Sequence, residues 1–265
     1  MSIEIADEYL EIDPARVAEQ LCNFLRVEIG NAGFHRGVLG LSGGLDSSVV
    51  AALCARALGP ENVLAVSMPY KTSSEETICD SRTIVQWLGI RALDLPITDQ
   101  VDAYFRRIGE ASLLRVANKC ARERMSILYD QSAAFDALVV GTSNKSEILL
   151  GYGTQYGDTA SAINPVGDLY KTQLRRLAAY LEVPPQIIAK PPSADLWAGQ
   201  TDEDELGLVY AEVDRLLVLM VDRQWRRDEL EAAGFKGELI ERATALMDRN
   251  RFKRGMPLIA KLIRD

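Results

Sequence analysis

The chain has 265 residues, 48% of them hydrophobic and 26% charged, with a net charge of −8. A chain this long buries a substantial core, and its composition argues against a disordered chain, a membrane-embedded one and a broad nucleic-acid surface. The acidic opening MSIEIADEYL is unlike a secretory signal, and no apolar run approaches the roughly 18 residues of a spanning helix. The expectation is one cytoplasmic domain over residues 1–265. Cys22, Cys54, Cys79 and Cys120 lie far apart and His35 is the single histidine, which is too few ligands for a Cys/His zinc site. All four thiols read as small buried hydrophobes.

Asp13-Pro14 ahead of Val17, Leu21, Phe24 and Leu25 reads as a capped amphipathic helix ending near Gly30 to Gly33. Gly37 to Leu41 is a short apolar strand, and Leu45 to Leu58 has helical length before Gly59-Pro60. Asn62 to Met68 repeats the strand signal. Ser73 to Glu76 offers a capping box for a helix reaching Leu88-Gly89, and Ile90 to Leu95 is a third strand. Further helices are predicted around Val101 to Arg107 and Leu113 to Ser132, with a fourth strand at Ala137 to Gly141. Strands alternating with long crossovers build a doubly wound α/β fold, a parallel sheet with helices on both faces. Gly151 to Asp168 has no clean period and reads as a functional loop, Lys171 to Leu181 as a helix, and Leu206 to Met220 as another after a polar stretch from Lys190. Asp222 to Gly237 yields no reading.

The string Gly40-Leu41-Ser42-Gly43-Gly44-Leu45-Asp46-Ser47-Ser48 joins the first strand to its helix. Glycines allow a tight turn with exposed N–H groups, the serines add hydroxyls, and the helix start supplies a positive dipole end, so the loop suits a pyrophosphate. It lacks the lysine of the usual P-loop, so compensating charge has to come from elsewhere, and Asp46 makes sense as a Mg²⁺ contact. As a purely structural feature, the same string is a Ser/Gly turn capping a helix.

In that strand-loop-helix setting the string resembles the S-G-G-x-D-S signature of the ATP pyrophosphatase superfamily, whose adenine nucleotide alpha hydrolase-like fold splits ATP between its α- and β-phosphates. Later motifs resemble those of ammonia-dependent NAD synthetases. Asn118 to Met125 is similar to N-x-x-A-R-x-R-M, which gives Arg122 a contact with deamido-NAD. Gly141 to Glu147 is similar to the segment in which Thr142 binds ATP and Glu147 is the second acidic Mg²⁺ contact. Asp168 to Gln173 places Lys171 on the ATP phosphates, and Lys190 to Leu196 matches K-x-P-[ST]-A-x-L, with Ser193 touching ATP. Taken singly, Arg122 and Arg124 fit a solvated helix face, Glu147 a surface acid and Lys171 a first-turn lysine.

The resemblance implies amidation of deamido-NAD by ammonia through an acyl-adenylate, with ATP as co-substrate, Mg²⁺, and a homodimer that binds deamido-NAD across its interface. Asp46, Lys171 and Asp158 are the catalytic candidates, Asp158 as a base for ammonia. The ATP set is Gly40 to Ser47 with Thr142, Lys171 and Ser193, and the acceptor set is Arg122, Gln155, Phe252 and Lys253. Gln155, Ala162 and Phe252 depart from the Lys, Asp and His usual at those places. The stretch before Gly37 is too short for a glutaminase domain, so ammonia is expected free or from a separate glutaminase. Two other readings fit the loop, a related ligase acting on another carboxylate or carbonyl and a non-catalytic adenine-nucleotide module.

Overall fold

The computed structural model of the chain describes residues 4–193, 201–257 and 259–262. Strands β1 (Gly37–Gly40), β2 (Val63–Ser67), β3 (Arg91–Asp94) and β4 (Leu138–Val139) pair in parallel in the order β3-β2-β1-β4. Gly37 faces Val63 on one side and Leu138 on the other, so β1 is where the winding reverses. A crevice opens beyond the carboxyl ends of strands at such a switch point, and the Gly/Ser string leaves β1 directly into it.

Side-chain alternation along the strands divides the interior. Leu39 and Ala65 face one way, into a core with α2 (Pro14–Asn31), α3 (Leu45–Leu58) and α8 (Lys171–Tyr180), to which Leu25, Val49, Leu53, Leu174 and Leu177 contribute. Val38, Leu64 and Val66 face the other way, against Val101 of α5 (Thr98–Ile108) and Met125 and Leu128 of α6 (Leu113–Phe135). Asp13 caps α2 by accepting from Ala15 N and Arg16 N at 3.1 and 3.2 Å, and Ser74 caps α4 (Glu75–Leu88) by accepting from Thr77 N at 3.1 Å. The doubly wound α/β expectation therefore holds. Among the thiols, Cys22, Cys54 and Cys120 are buried but Cys79 is exposed, because it lies on the solvent side of amphipathic α4.

A third core lies beside the sheet. It joins α1 (Ile5–Leu10), α11 (Tyr210–Leu217), α12 (Arg227–Ala232) and α13 (Gly237–Arg249) through Leu10, Val213, Leu216, Leu217, Leu230 and Ile240. The helix expected from Leu206 to Met220 is broken here. α10 (Asp202–Leu206) stops at Gly207, whose φ of +61° is left-handed, and α11 starts afresh at Tyr210 and passes into a π-turn, Val218–Asp222. A Cβ on Gly207 would lie 2.8 Å from the Arg242 guanidinium, so close packing adds to the conformational reason for glycine. The short α7 (Lys145–Leu150) and α9 (Pro185–Ala189) complete the α-helices of the described residues. No helix among those residues is long and apolar enough to cross a membrane.

Candidate active site

Leu41 N still donates to Val66 O at 3.0 Å, prolonging β1 by one residue before the chain turns. Gly43 has φ +72°, and a Cβ there would sit 2.5 Å from Thr77 O, so the turn packs directly on the first turn of α4. Ser42 N donates to Ser47 Oγ at 3.3 Å, the two hydroxyls lie 3.1 Å apart, and Gly44 N donates to Ser42 Oγ at 3.3 Å. Ser48 Oγ is buried and donates to Gly44 O at 2.7 Å, so it closes the turn rather than facing a ligand.

Asp46, in the first turn of α3, meets a lysine from α8. Lys171 Nζ lies 2.5 Å from Asp46 Oδ2 and 3.4 Å from Glu147 Oε1, with its side chain only 3% exposed. Burial alone would pull the ammonium down, but the Asp46 and Glu147 carboxylates outweigh it and hold Lys171 above its ordinary value. Burial, reinforced by the Asp46 charge, pushes Glu147 up to about 8 against the pull of Lys171. Asn144 orders both acids. Its Nδ2 donates to Asp46 Oδ1 at 2.8 Å, and it forms a capping box with Glu147 at the start of α7. Asp202 and Tyr210 extend the cluster. Asp202 is buried and pushed up to about 6, first by burial, while Lys171 Nζ stands 5.4 Å from the centre of the Tyr210 ring.

These groups open onto a cleft of about 980 Å³ at the switch point. Its lining includes Gly40, Leu41, Ser42, Gly44, Leu45, Asp46, Ser47, Thr142, Glu147, Lys171 and Ser193, so ten of the eleven residues expected to face ATP line it, and Gly43 is turned into α4 instead. Lys190 also lines it, bonded to Asp80 Oδ2 at 2.8 Å and Thr77 Oγ1 at 3.2 Å. Ala194, Asp195 and Leu196 of the K-x-P-[ST]-A-x-L match lie outside the described residues.

The acceptor set is divided. Asp158 and Lys253 line the same cleft, as do Asn118, Arg124 and Thr154. Asp158 Oδ1 accepts from Thr154 N at 2.8 Å, and desolvation of the carboxyl end within the cleft pushes it up, although the residue as a whole is exposed. Lys253 Nζ donates to Gly151 O at 2.8 Å and Gly153 O at 2.9 Å, so in this structure it braces the loop leading to Asp158. Arg122, Gln155 and Phe252 are not in the lining. Arg122 Nε donates to Gln155 O at 3.2 Å on the surface, and Phe252 is 62% exposed.

Sequence reading missed Asn144, Asp202 and Tyr210. The Asn144-x-x-Glu147 spacing is a capping-box signal that could have revealed the first. Asp202 and Tyr210 arrive from distant helices and carry no local sign. The assembled groups can hold a polyanion with loop N–H groups and an ammonium while excluding water from the charged pair. The oxygens of Asp46 and Glu147 both face the Lys171 ammonium and are hard donors of the kind that suits a divalent ion such as Mg²⁺. Among the described residues no group of three His, Cys, Asp or Glu side chains could hold a metal ion, so phosphate oxygens and water would complete its shell.

The family described as NAD synthase matches residues 17–257. This chain belongs to the NAD synthase family. It is 50% identical over 255 residues to the NH₃-dependent NAD⁺ synthetase of Fusobacterium nucleatum, covering 96% of this chain and 99% of that one. The NH₃-dependent NAD synthetase of Campylobacter jejuni, solved with nitrate, superposes with a TM-score of 0.81 at 36% identity over 94% of this chain and all of that one. The NMN synthetase of Francisella tularensis superposes with a TM-score of 0.85 at 31% identity over 95% of this chain and all of that one. The fold is accordingly the adenine nucleotide alpha hydrolase-like fold of the ATP pyrophosphatases.

Proposed function

We propose that this chain amidates deamido-NAD to NAD with ammonia, consuming ATP and releasing AMP and pyrophosphate through an acyl-adenylate. The observation that carries the mechanism is the Asp46–Lys171–Glu147 cluster facing a glycine-rich turn at the sheet's switch point. The turn's N–H groups and the start of α3 receive the phosphates. Lys171 supplies the charge that the loop itself lacks. Asp46 and Glu147 would hold Mg²⁺, which when bound neutralises phosphate charge.

No protein nucleophile is required. The nicotinate carboxylate attacks the α-phosphorus with pyrophosphate leaving, and ammonia then attacks the acyl carbon with AMP leaving. The protein holds the two anions in line and keeps water out. Asp158 lies in the cleft, and its raised carboxyl suits accepting a proton from the incoming ammonium. Arg122, Gln155 and Phe252 fit the acceptor role if a second copy completes the site, since they are surface groups outside the cleft of one copy. Free ammonia, or ammonia from a separate glutaminase, is the nitrogen source.

The likeness to an NMN synthetase favours a second reading, in which nicotinate mononucleotide is the acceptor. Steady-state rates with each acceptor at equal concentration separate the two. The proposal expects kcat/KM for deamido-NAD to exceed that for nicotinate mononucleotide, and the reverse order would transfer the chain to the second reading.

A further inference from the structure

Glu147 and Lys171 stand on different helices, 24 residues apart in the chain, yet their charged ends lie within 3.4 Å. Something has to fix α7 against α8. The residue that touches both is Asp214, on α11. Its carboxylate is fully buried and accepts from Ser146 Oγ at 2.6 Å and from Thr172 N at 2.9 Å. Ser146 Oγ in turn accepts from Lys171 N at 3.0 Å. Ser146 immediately precedes Glu147 and Thr172 immediately follows Lys171, so one side chain grips the neighbour of each.

The same segment makes two further contacts. The Tyr210 ring lies 5.4 Å from Lys171 Nζ, and Asp222, at the end of the π-turn, accepts from Lys145 Nζ at 2.8 Å and Tyr170 Oη at 3.1 Å. A buried carboxylate is a poor device for stability, since well-packed apolar residues serve as well or better. It is an effective device for register, because leaving its partners unpaired penalises every other arrangement. Apolar residues of α11, Val213, Leu216 and Leu217, already anchor it in the third core, so Asp214 is not needed for that anchorage.

We propose that Asp214 is a positioning residue, which acts through Ser146 and the backbone of Lys171 and Thr172 to set Glu147 and Lys171 at the spacing that binds the ATP phosphates. This rests on the proposed function only for its catalytic readout. Misplacement by about 1 Å of groups that act through alignment is enough to cost up to ~10²-fold in rate.

Asp214→Asn keeps the shape but places a donor where one acceptor stood, so the Ser146 hydroxyl loses its acceptor. Ser146→Ala removes the central link and is the second variant should Asp214→Asn fail to fold. Asp13→Ala, which removes the α2 cap, is the control for lost stability without loss of a hydrogen bond to α7 or α8. MgATP affinity is read by calorimetry, and kcat and both KM values are read with deamido-NAD.

The expected result for Asp214→Asn and Ser146→Ala is a loss of about tenfold or more in MgATP affinity and kcat, with the KM for deamido-NAD within twofold. Asp13→Ala should lower the Tm and leave these values unchanged. If both site variants lower the Tm but keep MgATP affinity and kcat within twofold, Asp214 is structural only and the inference is overturned. An equal loss in the deamido-NAD KM overturns it too. Absence of NAD formation by the wild type would instead refute the acceptor assignment, and MgATP calorimetry would still decide the role of Asp214.

Discussion

Glu147 makes the stability of the ligand-free protein depend on pH in an unusual direction. Its carboxyl is pushed up to about 8, first by burial and then by Asp46, whereas an unfolded-chain Glu titrates near ~4.3. Below both values the folded and unfolded states carry the proton alike. Between them the folded protein keeps a proton that the unfolded chain has lost, so stability falls as pH rises through this window and levels off above pH about 8. A separation of about 3.7 units at ~1.4 kcal/mol per unit sets an upper bound on the order of 5 kcal/mol. Lys171 is raised, so its contribution is complete below its unfolded value of ~10.4 and does not change across the same window. Glu147→Gln is neutral at every pH and removes the effect, while the raised carboxyls of Asp158, Asp202 and Asp214 are present in both proteins. Urea unfolding of ligand-free wild type and variant at pH 5 and pH 8.5 should show the wild type losing about 2–5 kcal/mol more than the variant over that interval. Parallel losses in the two proteins would refute the placement of Glu147 as a buried, under-compensated acid.

Asp46→Asn leaves Lys171 with Glu147 at 3.4 Å as its remaining carboxylate partner and removes one of the two oxygen donors proposed for Mg²⁺, so kcat/KM should fall by about 10²-fold or more while circular dichroism shows a folded protein. Near-normal turnover at saturating Mg²⁺ would remove Asp46 from the site. Gly43→Ala forces a Cβ to within 2.5 Å of Thr77 O at a φ of +72°, and the KM for ATP should rise about tenfold or more as the turn shifts. An unchanged KM would mean that the turn does not shape the phosphate site. Arg122→Ala should raise the KM for deamido-NAD and leave that for ATP nearly unchanged, and equal effects on both would detach Arg122 from the acceptor.

The glycine-serine turn was legible because its pattern is local: strand, turn and helix are contiguous from Gly37 to Leu58. The helix after it was found by length, since α3 is buried on most sides and shows no polar stripe to read. Motif resemblance added Glu147 and Lys171, which no local chemistry marks as partners. What stayed hidden depends on chain folding over long separations. Tyr210 and Asp214 reach the site because Gly207 breaks the segment and α11 starts afresh against α7 and α8, whereas one continuous helix from Leu206 would have aimed them elsewhere, and Asp202 comes from α10, ahead of that break. Lys253, expected from the motif resemblance to contact the substrate, lines the cleft, and its bonds to two loop carbonyls are a feature that the resemblance does not reveal.

Cleavage of ATP at the α-phosphate to amidate a nicotinate carboxylate is read directly from the products. The most direct measurement incubates the purified chain with ATP, Mg²⁺, ammonium and deamido-NAD and quantifies NAD, AMP, pyrophosphate, ADP and phosphate together. NAD, AMP and pyrophosphate are expected in equal amounts, dependent on all four components. ADP and phosphate in place of AMP and pyrophosphate, or pyrophosphate release that another carboxylic acid supports and deamido-NAD does not, would contradict that reaction.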